Sequence, residues 1–64
     1  MKVVCYAVGK TIVTESAEPF EASVYTTTGV HVGSGAKVSV VSSGIYLVHI
    51  KTTTGTKTVK VLVE

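Results

Sequence analysis

The side chains that could carry out chemistry are few and widely spaced along this 64-residue chain. The sequence holds two histidines, His31 and His49, one cysteine, Cys5, and four acidic residues, all glutamates. Catalysis needs a positioned acid, base or nucleophile, and zinc needs three or four converging ligands. We therefore expect no catalytic site, no metal and no cofactor, and we predict that both histidines lie exposed or half-exposed on strands.

The other reactive residues have plain structural interpretations. Cys5 lies in the apolar run VVCYAV and is expected to be a small buried side chain; a lone cysteine cannot form a disulfide within the monomer. Glu15, Glu18 and Glu21 flank Pro19, which is typical of a solvated loop and the start of a strand. The glycine-rich GVHVGSGAKV lacks the GK[ST] ending and following helix of a phosphate-binding loop, so we interpret it as a connection between short strands.

Charge and hydropathy narrow the choice of partners. The formal net charge is +2, and the six lysines are scattered rather than clustered. Arginine is absent from the sequence, which removes the side chain best suited to bidentate contacts with phosphate or guanine, so nucleic acid is not expected as a partner. Gly9 and Lys10 interrupt the first apolar run before it could complete a signal peptide, and every apolar run is far shorter than the roughly 20 residues of a transmembrane helix.

Strands must position these residues, because valine, isoleucine and threonine make up 27 of the 64 residues. No helix is expected. Glycine, serine and proline mark turns at short intervals along the chain. They divide it into seven predicted strands at residues 2–8, 10–14, 20–26, 30–32, 37–41, 45–52 and 57–63.

Alternation of side chains supports these strands. Phe20, Ala22 and Val24 would face one way, and the valines at alternate positions of the last strand would do the same. The run GIYLVHI is apolar on nearly both faces, which predicts a central strand. The sequence therefore predicts a single all-β domain, a small seven-stranded antiparallel immunoglobulin-like β-sandwich, without the Cys–Trp–Cys core of true immunoglobulins.

The tetrapeptide TTTG occurs twice, ending at Gly29 and at Gly55. The flanking residues do not match, which argues against an internal repeat. We interpret the two segments as two hairpin turns of the same type, in which glycine adopts the positive φ that a tight turn needs.

The segments VYTTTGVHV, SGIYLVHI and KTVKVLVE, in this order, resemble the C-terminal sorting domain of type IX secretion system cargo proteins (the Por secretion system sorting domain family). That family shows a V-Y-D-x-x-G-R/K-x-V segment, a G-x-Y-x-V-x-I segment and a terminal strand of the K-x-V-V-K kind, on a seven-stranded immunoglobulin-like sandwich. The stretch GKTIVTESAEPFEASVY resembles the G-x-x-I-x-V-x-G segment that precedes the tyrosine-bearing strand in this family. The resemblance covers nearly the whole chain.

The resemblance assigns recognition to six residues of the matched motifs: Tyr25, Gly29, Gly44, Tyr46, Lys57 and Lys60. Two positions differ from the family pattern. Thr26 stands where the family has an acidic or amide residue, and Val30 stands where it has a basic one. These differences leave open a related accessory domain that does not sort.

What the resemblance implies is a non-catalytic sorting or attachment module at the C-terminus of a larger secreted protein. Such a module folds in the periplasm, is recognised by the outer-membrane secretion apparatus and is often removed by a sortase-like peptidase at the cell surface. An edge strand in the last hairpin would be available for strand addition by that partner, or for an edge-strand homodimer. The alternative is a structural or adhesion-type β-sandwich that docks or spaces neighbouring domains.

Overall fold

The computed structural model describes residues 3–64, and within that range it contains seven strands and no helix. Lys2, with which the predicted first strand begins, lies outside the described residues. The strands are β1 Val3–Val8, β2 Thr11–Ser16, β3 Phe20–Thr26, β4 His31–Ser34, β5 Lys37–Ser39, β6 Gly44–Thr52 and β7 Gly55–Val63.

The strands form two antiparallel sheets, one with the order β1-β2-β5 and one with the order β4-β3-β6-β7. The predicted fold class, a small seven-stranded antiparallel β-sandwich of immunoglobulin-like type, is confirmed. The fourth strand pairs with the third, whereas constant-type immunoglobulin domains place it in the sheet of the first two. The prediction that GIYLVHI forms a central strand is also correct, since β6 lies between β3 and β7.

The core lies between the sheets and consists mainly of β-branched side chains. Its buried members are Ile12, Ala22, Val24, Val38, Val40, Tyr46, Val48, Ile50, Val61 and Val63. Cys5 packs against this core but is only half-buried, with its Sγ atom 3.4 Å from Oγ1 of Thr14. Cys5 is thus less enclosed than expected, because β1 is an edge strand with a neighbour on one side only.

β2 was predicted at residues 10–14 but runs to Ser16, and β6 and β7 begin one and two residues earlier than predicted. The fourth and fifth strands differ from their predicted bounds for identifiable reasons. A β-bulge in β4, at the point where β3 passes from Val24 to Tyr25, places one extra residue, Val32, on β4 and shifts the strand to His31–Ser34. β5 ends at Ser39 rather than at position 41. Val40 is still buried, and its N–H donates a 2.8 Å hydrogen bond to the carbonyl of Lys10. Val41, by contrast, is 94% exposed, so the chain has left the sheet at that residue.

The two TTTG segments turn out to be related but not identical. In the first, Gly29 has φ 93° and donates its N–H to the carbonyl of Thr26 at 3.0 Å. In the second, Thr52 pairs with Gly55, so residues 53 and 54 form the tip of the hairpin. Gly55 is the first residue of β7 and has φ 152°. Both segments contain a contact between threonine hydroxyls two residues apart, at 2.9 Å and 3.1 Å.

Candidate recognition face

The outward side chains of the four-stranded sheet form one continuous surface, because residues paired across antiparallel strands share a face. The register places Tyr25 of β3 opposite Leu47 of β6, and Leu47 opposite Lys60 of β7. In the next row, Ile45 lies opposite Leu62. The aromatic rings of His31, on β4, and Tyr25 meet edge to face, with centroids 5.3 Å apart. We call this surface the Tyr25 face; it consists of Tyr25, His31, Ile45, Leu47, Lys60 and Leu62.

The Tyr25 face has an apolar centre and a polar rim. Ile45 is 50% exposed and Leu62 is 61% exposed, while Tyr25 and Leu47 are half-buried within the sheet. Beyond these two rows the same sheet becomes polar, with Ser23, His49 and Thr58 in one row and Glu21, Lys51 and Thr56 in the next. An apolar centre with a polar surround is typical of protein–protein contact surfaces.

All three motif segments named above contribute to this face. The first supplies Tyr25 and His31, the second supplies Ile45 and Leu47, and the third supplies Lys60 and Leu62. Segments far apart in the sequence therefore place side chains side by side. Ile45, Leu47, Leu62 and His31 were not among the predicted recognition residues. The two-residue period of a strand places Ile45 and Leu47 on the side of β6 opposite to Tyr46, and Leu62 on the side of Lys60, whereas the position of His31 follows only from the pairing of β4 with β3.

The two predicted recognition lysines lie on opposite sides of β7. Lys60 is outward and next to Leu47, whereas Lys57 lies opposite Ile50 and shares its side of the sheet with Val59. Residues an odd number of positions apart in a strand point to opposite faces. The structure therefore brings Lys60 together with Tyr25, roughly 10 Å away across two strand spacings, and separates Lys57 from both.

Tyr46, Gly44 and Gly29 lie at the same end of the sheet but not on the Tyr25 face. Tyr46 is buried, and its hydroxyl donates a 2.7 Å hydrogen bond to the carbonyl of Ser42. This arrangement matches the tyrosine corner of immunoglobulin-like sandwiches, in which a tyrosine near the start of the sixth strand bonds to the backbone just upstream. Gly44 begins β6 opposite Val63, and Gly29 lies in the turn between β3 and β4.

The residues considered for catalysis and metal binding are dispersed. His31 and His49 are exposed on the same sheet, as expected, but β3 lies between their strands. Among residues 3–64, no three His, Cys or Glu side chains lie close enough together to hold a metal ion. This part of the chain also has no helix that could span a membrane.

Two carboxylates make contacts that were not predicted. Hydrogen bonds from Thr52, which has the larger effect, and from Thr54 lower the pKa of Glu18. The Thr54 hydroxyl donates to Oε1 of Glu18 at 2.9 Å. Glu18 thereby ties the connection between the sheets to the tip of the β6–β7 hairpin. On the other sheet, the hydroxyl of Tyr6 donates to Glu15 at 2.8 Å, and this bond raises the pKa of Tyr6.

Compared with known proteins, the chain matches no family model, no curated protein and no solved structure.

Proposed function

We propose that this domain is a non-catalytic sorting or attachment module of a larger secreted protein, recognised by an outer-membrane secretion apparatus of the type IX kind. The observation that carries the proposal is the convergence of the three motif segments on the Tyr25 face. The fixed positions of the second motif, Tyr46, Val48 and Ile50, are buried and serve the fold. The outward residues of the three segments add a contiguous apolar surface with a polar rim, which suits recognition by a protein.

The shape of this surface favours binding over catalysis. Enzyme sites are usually concave and bring several polar groups together around a pocket. The Tyr25 face is one side of a sheet, and its polar groups, His31 and Lys60, stand on opposite borders of an apolar strip. A partner protein or a sortase-like peptidase would therefore act on this module, which itself supplies no chemistry.

β7 adds a second means of contact with the same partner. It is nine residues long and pairs with β6 along one side. Within residues 3–64 its other side is not part of a hydrogen-bonded ladder, although β1 lies beside it. A partner strand added there would extend the sheet that carries the Tyr25 face.

The experiment is a reporter fusion in a bacterium that has the secretion system. A reporter with a signal peptide and this domain at its C-terminus is expected to reach the cell surface or medium, and to stay in the periplasm in a strain that lacks the system. Retention in the periplasm of both strains would contradict the proposal. Deleting residues 60–64 is not a suitable test, because Val61 and Val63 are buried and the deletion would remove part of the core.

A second candidate, a structural or adhesion-type module that docks neighbouring domains, is favoured by the outer face of β1. Val4, Tyr6 and Val8 are all exposed there in one row, and β1 carries no charged side chain from Val3 to Val8. β1 lies beside β7 but is not hydrogen-bonded to it, and an edge strand without charges can pair with a neighbouring domain or with a second copy of the chain. Under this candidate the reporter fusion stays in the periplasm, and Val8→Lys abolishes docking or dimerisation measured by sedimentation.

A further inference from the structure

We infer that the partner meets the Tyr25 face with an apolar surface bordered by carboxylates, one of which pairs with Lys60. This inference rests on the proposed function and specifies the chemistry of the partner.

The charges on the outer side of the four-stranded sheet point to an acidic partner. Its strands carry two outward lysines, Lys51 and Lys60, and one outward carboxylate, Glu21. Glu21 lies directly opposite Lys51, so these two charges offset each other across the strands. Lys60 lies opposite Leu47, so no acidic residue stands directly across the strands from it. The sheet therefore has one uncompensated positive charge, beside its apolar strip.

The position of Glu64 does not change this assignment. Glu64 follows the last residue of β7 and has the same parity as Lys60, so it would lie on the same side of the sheet. It is four residues further along the chain, which corresponds to roughly 13 Å in an extended strand. That distance is too long for a hydrogen-bonded ion pair.

The apolar strip specifies the rest of the partner surface. Ile45 and Leu62 expose half or more of their surface and stand beside Leu47 and Tyr25. A lysine that borders such a strip is desolvated when a partner covers the strip, so a carboxylate opposite Lys60 is needed to compensate it. The complementary surface therefore combines apolar side chains with at least one Asp or Glu.

A protein fits these features better than an anionic membrane. Binding to anionic lipid relies on clusters of about four to eight Lys or Arg side chains, whereas this face has one uncompensated lysine. Tyr25 and Leu47 are half-buried among their neighbours on the outward face, so they expose less apolar surface for insertion into a membrane than fully exposed side chains would.

The test compares two charge reversals on one strand in the reporter fusion. Lys60→Glu is expected to reduce the surface or medium fraction of the reporter at least tenfold, and Lys60→Arg is expected to retain it. Lys57→Glu is the matched control, because it makes the same change on the same strand but on the opposite side of the sheet; it is expected to sort like the wild type.

An apolar pair of variants tests the second part of the inference. Leu62→Thr removes apolar surface from the centre of the face and is expected to reduce secretion by a similar factor. Val41→Thr makes a comparable change at a residue that is 94% exposed and outside the strands, and it is expected to have no effect. Urea unfolding of the purified wild-type domain and the five variants should show that the folded fraction does not account for the differences.

The outcomes separate the inference from the proposed function. If the wild-type fusion stays in the periplasm, the proposed function is wrong. If the wild type is secreted but Lys60→Glu and Lys57→Glu behave alike, the carboxylate-bordered partner is wrong while sorting stands. Lys60-dependent sedimentation of the purified domain with vesicles of phosphatidylcholine and phosphatidylglycerol in equal parts would also overturn the inference, in favour of a lipid.

Discussion

The hydroxyl of Tyr46 fixes the start of β6 by donating a hydrogen bond to the carbonyl of Ser42. Tyr46→Phe keeps the buried ring and removes this bond to the exposed residue Ser42. We expect the free energy of unfolding to fall by about 0.5–1.5 kcal/mol, the usual net contribution of one hydrogen bond. Urea denaturation followed by circular dichroism measures the change.

Tyr25→Phe is the control for this variant. The Tyr25 ring is half-buried on the outer face and packs edge to face against His31. Removing the hydroxyl of Tyr25 should change the free energy of unfolding by less than about 0.5 kcal/mol, which is usual for substitutions on a protein surface. Equal effects of the two substitutions would contradict a special role for the hydroxyl of Tyr46.

Glu18 makes stability depend on pH in the acid range. Its pKa is lower in the folded chain than in the unfolded chain, because hydrogen bonds from Thr52 and Thr54 favour the carboxylate. The stabilisation is therefore fully present above the unfolded value of about 4.3 and is lost as the pH falls through the lower folded value. We expect the wild type to be more stable than Glu18→Gln at pH 6 and the difference to shrink towards pH 3.

Urea midpoints of both proteins at a series of pH values measure this difference. Glu21→Gln, on a strand rather than in the connection, serves as the control. A wild-type advantage over Glu18→Gln that stays constant down to pH 3 would show that packing of the side chain, rather than its charge, is responsible.

At the scale of the elements, β4 and β5 approach each other closely because Gly33 has no side chain. A Cβ atom on Gly33 would lie 2.9 Å from Cγ1 of Val38, in the opposite sheet. Gly33→Ala is expected to destabilise the domain by about 1–3 kcal/mol through overpacking. Ser34→Ala, at the exposed neighbouring residue, should be close to neutral.

A double-mutant cycle identifies the cause of this loss. In the background of Val38→Ala the clash is relieved, so Gly33→Ala should cost at least 1 kcal/mol less there than in the wild type, in the range found for residues in contact. Additive effects would mean that the backbone conformation of Gly33, and not its contact with Val38, explains the destabilisation.

The elements were largely predictable because alternation is a local signal. Phe20, Ala22 and Val24 face inward as their spacing indicates, and β3 has the predicted bounds. The bulge at Val32 was not predictable, because an extra residue that packs against the core breaks the alternation on which the prediction relied. The pairing of β4 with β3 rather than with β5 depends on contacts between distant residues, which a single sequence does not reveal.

The candidate site could have been predicted more fully than it was. Val59, Val61 and Val63 were correctly placed on the inner face, and the same parity puts Lys57 on their side and Lys60 on the other. That step required only the two-residue period of a strand. The alignment of Tyr25, Leu47 and Lys60 in one row required the register of three strands, which only the structure provides.

At the scale of the whole molecule, stability depends on a core of few side chains. Ile50 is fully buried in the central strand, and Ile50→Ala is expected to cost about 2–5 kcal/mol. A domain of this size has a total stability of only about 3–10 kcal/mol, at 0.05–0.15 kcal/mol per residue. A large fraction of the Ile50→Ala molecules should therefore be unfolded at 37 °C. Circular dichroism recorded during heating measures this fraction.

Ile45→Ala is the matched control, because it makes the same substitution on the same strand. Ile45 lies five residues from Ile50, so it points outward, and it is 50% exposed. We expect a loss below about 1 kcal/mol. Comparable losses for the two variants would mean that the outer face of β6 is covered in solution, for example by a second copy of the chain.

The alternation along β7 also bears on how such a module could diversify. Its even-numbered residues, Thr56, Thr58, Lys60 and Leu62, face solvent, while the valines between them fill the interior. A library that randomises these four codons would explore new specificities with little effect on folding, and related chains could drift apart in binding while they keep one architecture.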